Sequence, residues 1–364
     1  MCASVLPRGP GATAWSPETV TSDPYNAQTP SAALTAPVTP ADALFVRDHF
    51  SVPAVRPADW RLRFEGAVRT PYALRYEELA ALPHTELDVV VECAGNGRSQ
   101  MVPRPPGLPW GQRAVGCVRF AGVPLRLLAE RAGIAPAAVE CVFTGADSGT
   151  VRGRRAPFAR SLPLAAALHP HTLLATRLDG APLTPEHGAP VRLVVPGHFA
   201  VADVKWLTEV RAVTEPFAGV FQAEEYVYVD AEGRSEGRVG ALRVKSLITE
   251  PEPDEDLRRG RETVVRGHAW AGGGVPVRRV EVRAVHEDEP AEAPDGWHDA
   301  ELAAPTGPYA WADWSSRWTL RSPGRYRLLA RATDAHGEIQ PPHAPWNALG
   351  YGCNPVAAVE VVVV

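Results

Sequence analysis

Residues 87–99 read LDVVVECAGNGRS, a mostly apolar run that opens into a loop of small and polar residues. Such a run is typical of a strand that is buried on both faces of its sheet. Cys93 stands at the end of the predicted strand, where α/β-type folds often place their chemistry. Its thiol could be a metal ligand or a nucleophile, because the neighbouring Arg98 would favour the thiolate. On local sequence alone, a small side chain packed in the core is the alternative.

The composition is that of an ordinary globular protein. The 364 residues exceed the size at which one hydrophobic core usually stops growing, so we expect two domains. Hydrophobic residues make up 45% and charged residues 22%, which argues against a disordered chain. A net charge of −5 gives no long-range attraction to nucleic acid or to an anionic membrane. We therefore expect neither of them as a partner.

The five cysteines are widely scattered and never form a CxxC pair. This spacing argues against a disulfide framework and against a zinc site made from neighbouring thiolates. No apolar stretch has the length of a signal peptide core or of a membrane span, so a cytoplasmic protein is the simplest expectation. The sequence also has no CxxCH haem-attachment motif. We expect no haem, and any electrons would leave through an external acceptor.

Changes of pattern along the chain predict three segments. Residues 1–37 are rich in proline, threonine, serine and alanine, and we expect an extended or partly disordered arm. Residues 38–245 mix short predicted strands with short helices, such as a helix over residues 125–132 that Gly133 would end. This second segment lacks the strand–helix alternation of a doubly wound nucleotide-binding domain.

Residues 246–364 have a different character, beginning with the acidic, proline-containing linker at 250–253. Apolar residues then alternate with polar ones, for example over residues 279–284 and 326–332. Repeated alternating runs separated by turns predict an immunoglobulin-like β-sandwich. The fold class that we expect is therefore α+β, a mixed α/β domain followed by a β-sandwich.

Three further clusters could meet Cys93 in space. Residues 45–49 (FVRDH) hold a guanidinium, a carboxylate and an imidazole, and residues 187–192 (HGAPVR) lead into a buried strand. The third cluster contains Lys205, which with Lys245 makes up all the lysine in a chain whose other basic residues are arginine. Histidine, arginine and lysine donors that converge on one pocket would suit a phosphate-bearing ligand. A structural network of ion pairs is the competing interpretation.

Taken together, FVRDH (45–49), VECAGNGRS (91–99), HGAPVR (187–192) and DVKWL (203–207) resemble the sulfite oxidase family of molybdenum enzymes. GHAWAGGG (267–274) and PWNALG (345–350) resemble the immunoglobulin-like dimerisation domain of that family. The motifs occur in the order of the family from about residue 43 to the end. The resemblance implies a molybdopterin-binding catalytic domain at 38–245, a dimerisation domain at 246–364 and a homodimer.

The resemblance also implies roles for individual residues. Cys93 would be the thiolate ligand of the molybdenum in one molybdenum–molybdopterin cofactor per chain, and a soft thiolate suits that metal. The positions that match the pterin and phosphate site are Phe45, Val46, Arg47, Asp48, His49, Asp147, His187, Arg192, Asp203, Val204 and Lys205. Those that match the substrate pocket are Arg47, Arg98, Trp110 and Tyr226. The two arginines would gather a small oxyanion such as sulfite, and oxygen-atom transfer would oxidise it to sulfate.

Three departures from the family pattern bear on the substrate. Gly97 and Val275 stand where the family usually has arginine, and Asp48 stands where asparagine is usual. Each charge-assisted contact to an oxyanion contributes about 1.5–3 kcal/mol, so affinity for sulfite could fall by about tenfold or more. A nitrate reductase-like or other family enzyme with a different substrate is therefore the first alternative. A cofactor-free scaffold built on the β-sandwich is the second.

Overall fold

The computed structural model describes residues 15–289 and 296–364. Among its described residues, the first domain holds three short α-helices, α1 (Tyr76–Ala80), α2 (Leu125–Ala132) and α3 (Leu164–Ala167). Its strands are β1 (Glu18–Ser22), β2 (Tyr25–Gln28), β3 (Val46–Arg47), β4 (Arg61–Gly66), β5 (Tyr72–Arg75), β6 (Thr85–Glu92), β7 (Val115–Pro124), β8 (Glu140–Val151), β9 (Arg154–Pro163), β10 (Leu173–Leu178), β11 (Ala181–Pro182), β12 (Arg192–Val194), β13 (Leu207–Val213), β14 (Val227–Val229) and β15 (Ser235–Arg238).

Helix α2 has the bounds that its sequence predicts. Leu125, Leu128, Ala129 and Ala132 are buried at helical spacing. Gly133 ends the helix with a φ of +66°, and its N–H donates to the carbonyl of Ala129 (2.9 Å). Both the apolar spacing and the glycine cap are local features, which is why the sequence is sufficient to place this element.

Two sheets of the first domain position the site. One has the strand order β11-β10-β7-β6, with β12 also paired to β10, and the other has the order β5-β4-β13-β8-β9. Strand β6 pairs with β7 along its whole length, and Val89, Val90 and Val91 are each 2% exposed. The prediction of a buried strand that leads to Cys93 is confirmed.

The N-terminal segment differs from the expectation of an extended or partly disordered arm over residues 1–37. Within its described part, β1 and β2 form a hairpin, and β2 pairs with β3. Hydrogen bonds rather than a hydrophobic stripe hold the hairpin turn, since Asn26 Nδ2 donates to Thr21 Oγ1 (2.8 Å) and to the Pro24 carbonyl (2.9 Å). The pattern of apolar residues therefore could not predict these strands. Residues 1–14 lie outside the described residues.

The second domain is a β-sandwich, as its alternating pattern predicts. Its strands are β16 (Lys245–Glu250), β17 (Asp256–Leu257), β18 (Glu262–Trp270), β19 (Val277–His286), β20 (His298–Asp299), β21 (Glu301–Leu302), β22 (Ala312–Thr319), β23 (Gly324–Asp334) and β24 (Ala357–Val363). One sheet has the order β16-β18-β22-β21, and the other has the order β17-β24-β23-β19-β20. Between them lies a core that includes Val265, Val282 and Leu328. Across the described ranges, no helix has the length and the hydropathy needed to cross a membrane.

Candidate active site

Cys93 lies one residue beyond β6, at the start of a tight loop, and its side chain is buried. Its backbone N–H donates to the carbonyl of Ala114 (2.9 Å). Asn96 fastens the loop from both sides, because its Nδ2 donates to Glu92 (2.9 Å) and its Oδ1 accepts from the N–H of Ala114 (3.0 Å). Gly97 has a φ of +86°, a left-handed conformation that favours glycine. The loop therefore holds the thiol in a fixed place.

Arg47 and His49 line the same pocket as the thiol. The hairpin holds Arg47, since Asn26 Oδ1 accepts from its guanidinium (3.3 Å) and from the N–H of Asp48 (3.0 Å). The guanidinium also contacts both ring nitrogens of His49, Nδ1 at 2.9 Å and Nε2 at 3.3 Å, and Nε2 contacts the hydroxyl of Tyr226. Arginine can only donate, so His49 accepts from it through a ring nitrogen. In the tautomer that accepts at Nδ1, Nε2 donates to Tyr226 and leaves the hydroxyl proton of Tyr226 available to a ligand.

A second group of charges belongs to the same region. Lys205 donates to the carboxylate of Asp48 and to the carbonyl of Glu186 (2.8 Å). Arg192 and Asp203 are both buried, and their nearest charged atoms are 3.7 Å apart. Two buried atoms of the group, Asp48 Oδ2 and Arg192 Nε, have no hydrogen-bond partner among the described residues. A ligand that carried both a donor and an acceptor could satisfy both atoms.

Burial changes the ionisation of this group. Desolvation raises the pKa of Asp147 to about 7, and it raises the pKa of Asp203 to about 7 against the opposing charge of Arg192. Burial lowers the pKa of Lys205 to about 8, although Asp48 favours the ammonium. Burial, aided by Arg192, lowers the pKa of His187 to about 3, so its imidazole is neutral at physiological pH. Burial thus disfavours the ionised forms of these groups, although Lys205 is paired with Asp48 and Arg192 with Asp203.

Burial also shifts the pKa values of the Cys93 thiol and of His49. Burial raises the pKa of the Cys93 thiol, while the positive charge of Arg47 opposes that rise. Burial holds the pKa of His49 well below its ordinary value, and the charge of Arg47 acts in the same direction. A bound metal cation would reverse the balance at the thiol and favour the thiolate.

Most of the predicted site residues meet in one pocket of about 700 Å³, counted with its open mouth. Those that line it are Phe45, Arg47, His49, Cys93, Asp147, His187, Arg192, Asp203, Lys205 and Tyr226. Asp48 adjoins the pocket through Lys205. Val46, Trp110 and Val204 are at most 4% exposed and belong to the surrounding core rather than to the pocket wall.

Arg98 also lies outside the pocket wall. Its Nε and Nη2 donate to the carbonyl of Leu349 (3.2 and 3.0 Å), and its Nη1 donates to the carbonyl of Leu108 (3.1 Å). The guanidinium carbon is 5.1 Å from the centre of the Tyr351 ring. Contrary to the expectation that Arg98 presents paired donors to an oxyanion, three of its five N–H groups donate to backbone carbonyls of two loops.

Of the two positions that lack the family's arginines, Gly97 has a local explanation. A Cβ added to Gly97 would lie 3.0 Å from Sγ of Cys353, so the backbone and its neighbour both favour glycine. Val275 borders a separate hollow together with Arg243 and Asp334. At Arg47, by contrast, the guanidinium lines the pocket and has no carboxylate partner among the described residues.

The sequence singled out Lys245 without a role, and the structure supplies one. Lys245 Nζ lies 2.8 Å from the carboxylate of Glu92, and their side chains are 3% and 2% exposed. Glu92 also accepts from Trp270 Nε1 (2.9 Å) and from Asn96. Glu92 precedes Cys93, so this network ties the thiol loop to the second domain. Glu92 and Asn96 lie in the quoted VECAGNGRS motif but were given no role, and Asn26 carries no local signal, because their links to Lys245, Ala114 and Asp48 join residues that are distant in the chain.

Two family models match the chain. Residues 49–221 match the oxidoreductase molybdopterin-binding domain, and residues 237–363 match the Mo-co oxidoreductase dimerisation domain. Both matches agree with the domains that the structure contains.

Curated relatives support the same assignment. The chain is 32% identical to the sulfite oxidase of Gallus gallus, over 90% of this chain and 74% of that protein. It is 31% identical to the mitochondrial sulfite oxidase of Drosophila melanogaster, over 94% of this chain but only 62% of that longer protein. It is 30% identical to an NADH nitrate reductase of Phaseolus vulgaris, over 90% of this chain and 40% of that protein.

The fold is also that of a solved enzyme structure. The sulfane dehydrogenase SoxCD of Paracoccus pantotrophus superimposes with a TM-score of 0.79 and 25% sequence identity, over 98% of this chain and 86% of the matched chain.

Proposed function

Because the chain belongs to the molybdopterin oxidoreductases of the sulfite oxidase family, we propose that it transfers oxygen to a small sulfur-centred anion, with sulfite as the first candidate. The observation that carries this proposal is the pocket that joins the Cys93 thiol to the guanidinium of Arg47, which has no carboxylate partner among the described residues. The proposal includes one cofactor per chain and an external electron acceptor.

The side chains fit a molybdenum–pterin cofactor. A single soft thiol lies beside a group of buried nitrogen and oxygen atoms, so a metal at Cys93 would take its other ligands from the cofactor itself. The unpartnered Arg192 Nε is a donor for a phosphate oxygen, and the unpartnered Asp48 Oδ2 is an acceptor for a pterin N–H. Lys205 adds an ammonium for the phosphate, while the neutral His187 can accept or donate. When bound, the cofactor supplies two-electron redox chemistry.

The chain itself binds and orients the substrate. Arg47 brings a positive charge to an oxyanion in the pocket, while bonds from its Nη1 to Asn26 and to the Asp48 carbonyl hold the guanidinium in place. In the His49 tautomer that donates from Nε2, the Tyr226 hydroxyl accepts from His49 and can donate its own proton into the pocket. The neutral state of His49 keeps the positive charge on Arg47 rather than sharing it across the pair. The result is one fixed positive group and one neutral donor at the reacting centre.

Steady-state assays of the purified holoenzyme test the proposal. We expect turnover with sulfite and a one-electron acceptor such as ferricyanide. No turnover with sulfite, together with nitrate reduction by a reduced viologen dye, would replace the proposal by the nitrate reductase-like alternative. A third outcome is that another substrate is oxidised faster than sulfite. The missing arginines at Gly97 and Val275 favour it, as do the bonds of Arg98 to backbone, because they reduce the positive charge available to a sulfite ion.

We also propose a homodimer that forms through residues 246–364. The match of residues 237–363 to a dimerisation domain supports it. Sedimentation equilibrium of the purified chain should give twice the mass of 39.1 kDa. A mass equal to that of one chain would contradict the proposed dimer.

A further inference from the structure

Arg160 is a buried guanidinium that has no carboxylate partner among the described residues. It lies on β9 and is 3% exposed. Its Nη1 donates to the carbonyl of Phe221, its Nη2 donates to the carbonyl of Val239 (3.1 Å), and its Nε has no hydrogen-bond partner in the described part of the chain. Burial lowers the pKa of Arg160 to about 10, which leaves the guanidinium charged at neutral pH. A positive charge is therefore held in the interior by neutral groups alone.

The hydrogen bonds of Arg160 fix it against the segment that carries Tyr226. The carbonyl of Phe221 lies five positions before Tyr226. Val239, whose carbonyl is the other acceptor, donates through its own N–H to the carbonyl of Tyr226 (2.9 Å). The guanidinium carbon of Arg160 is 5.6 Å from the centre of the Tyr226 ring. The charge and the ring are thus held at a fixed separation.

Arg160 approaches the substrate pocket through a layer of rings and does not itself line it. Tyr226, Phe158 and His49 line the pocket. The ring of Phe221 packs against those of Phe158 and His49, at centroid distances of 4.7 and 5.0 Å. Water and salt screen a charge only weakly across such a buried layer. Burial raises the pKa of Tyr226, and three arginine charges, that of Arg160 among them, oppose the rise.

The other charged groups near Arg160 leave its charge uncompensated. Arg238 is close enough to disfavour the charged form of Arg160, but Arg238 is itself paired with the carboxylate of Glu140 (2.8 Å). That pair is neutral overall. Arg160 therefore adds positive charge beside a pocket in which Gly97 and Val275 stand where the family pattern has arginine.

We propose that Arg160, from behind Tyr226, strengthens the preference of the substrate pocket for doubly charged oxyanions over singly charged ones. The inference rests on the proposed function and narrows its substrate to a dianion such as sulfite. The Coulomb energy between the guanidinium and an anion in the pocket is proportional to the charge of the anion, so a dianion gains twice as much as a monoanion. Arg160 is not a catalytic residue, because the rings separate it from the substrate. It acts through the electrostatic potential of the pocket.

Calorimetric titration of the holoenzyme with sulfate and with methanesulfonate tests this inference without turnover. The two probes share a tetrahedral shape, but sulfate is a dianion and methanesulfonate a monoanion. Arg160→Gln keeps a donor for a backbone carbonyl and removes the charge, so we expect it to weaken sulfate binding by about tenfold and methanesulfonate binding by about threefold. Arg160→Lys keeps the charge and should bind both anions within about twofold of the wild type. Arg160→Met replaces Arg160→Gln if the glutamine variant does not fold.

The sulfite assay gives a second readout of the same charge. Arg160→Gln should raise KM for sulfite by about tenfold and change kcat by less than about twofold, because the guanidinium attracts the anion before and during the reaction alike. A fall in kcat at an unchanged KM would contradict this role.

Arg154 offers a matched control, because it lies on the same strand but its side chain is 59% exposed and paired with Glu224. Arg154→Met removes the same charge, yet solvent screens it, so both affinities should stay within about twofold of the wild type.

Three results would overturn the inference. They are an equal loss of affinity for the two anions in Arg160→Gln, an Arg160→Lys variant as weak as Arg160→Gln, and a wild type that binds no sulfate. An unchanged Arg160→Gln would overturn it as well. Absence of sulfite turnover in the molybdenum-loaded wild type would instead overturn the proposed function, while the charge dependence of anion binding would still decide the role of Arg160.

Discussion

Replacing Lys245 by methionine should destabilise the protein strongly, although this residue lies outside the pocket wall. The substitution keeps the length of the side chain but removes the ammonium that faces the carboxylate of Glu92 at 2.8 Å. Because both side chains are at most 3% exposed, the carboxylate would stay buried without a charge partner. Breaking a buried pair in this way costs about 3–5 kcal/mol. The carbonyl of Cys353, which accepts from Lys245 at 2.9 Å, would lose a donor as well.

Equilibrium urea denaturation of the wild type and Lys245→Met, followed by tryptophan fluorescence, measures this cost. Trp270, one of the ten tryptophans that contribute to this emission, donates to Glu92 in the same network. The double variant Lys245→Met with Glu92→Gln should recover most of the loss, since a neutral amide can still accept from Trp270. The coupling energy from the double-mutant cycle should be about 2 kcal/mol or more.

An exposed ion pair of the same domain gives the control. Arg317 and Glu262 approach to 2.7 Å, but their side chains are 64% and 56% exposed, so Arg317→Met should cost less than about 1 kcal/mol. Two results would refute the assignment of Lys245 to a buried, charge-dependent link between the domains. One is a loss of less than about 1 kcal/mol for Lys245→Met. The other is a double variant that is as unstable as Lys245→Met alone.

Three further predictions follow from the site. Arg47→Ala should raise KM for the anionic substrate by about tenfold or more, with a smaller change in kcat, and an unchanged KM in steady-state kinetics would remove Arg47 from the substrate site. Cys93→Ser should keep the fold and abolish turnover, so full activity would exclude the thiol as the metal ligand. Asp147 has a pKa raised to about 7 by burial, so the folded protein without cofactor should lose stability as the pH rises from about 4 to 7. Asp147→Asn should remove this loss. Its free energy of unfolding relative to the wild type should therefore grow across that pH range, to at most about 4 kcal/mol. If urea titrations show a stability difference between the two proteins that does not change with pH, the burial argument is contradicted.

Elements with local signals were predictable from the sequence. The apolar run before Cys93 and the spaced leucines before Gly133 predicted a strand and a helix where the structure has them. The alternating runs of the second domain predicted strands that include β19 and β23. In these segments the local pattern and the tertiary environment favour the same conformation.

The remaining features depend on distant residues. The hairpin over residues 18–28 is polar, and it is ordered by pairing with β3 and by the bonds of Asn26. Strands β8 and β9 were not predicted, because an irregular register between Thr144 and Ser148 breaks the period of two. Gly352 donates to the carbonyl of Ala94 in the thiol loop from near the far end of the chain, a contact that no local pattern encodes. Motif order placed Arg98 near the site, but only the structure shows where its donors point.

The central claim is that the Cys93 pocket holds a molybdenum–pterin cofactor. The most direct test is elemental and pterin analysis of the protein purified from a molybdenum-replete, cofactor-competent host. We predict about one molybdenum atom and one pterin per chain, as expected for a single thiolate ligand in one pocket. Correctly folded protein that contains neither molybdenum nor pterin would contradict the claim.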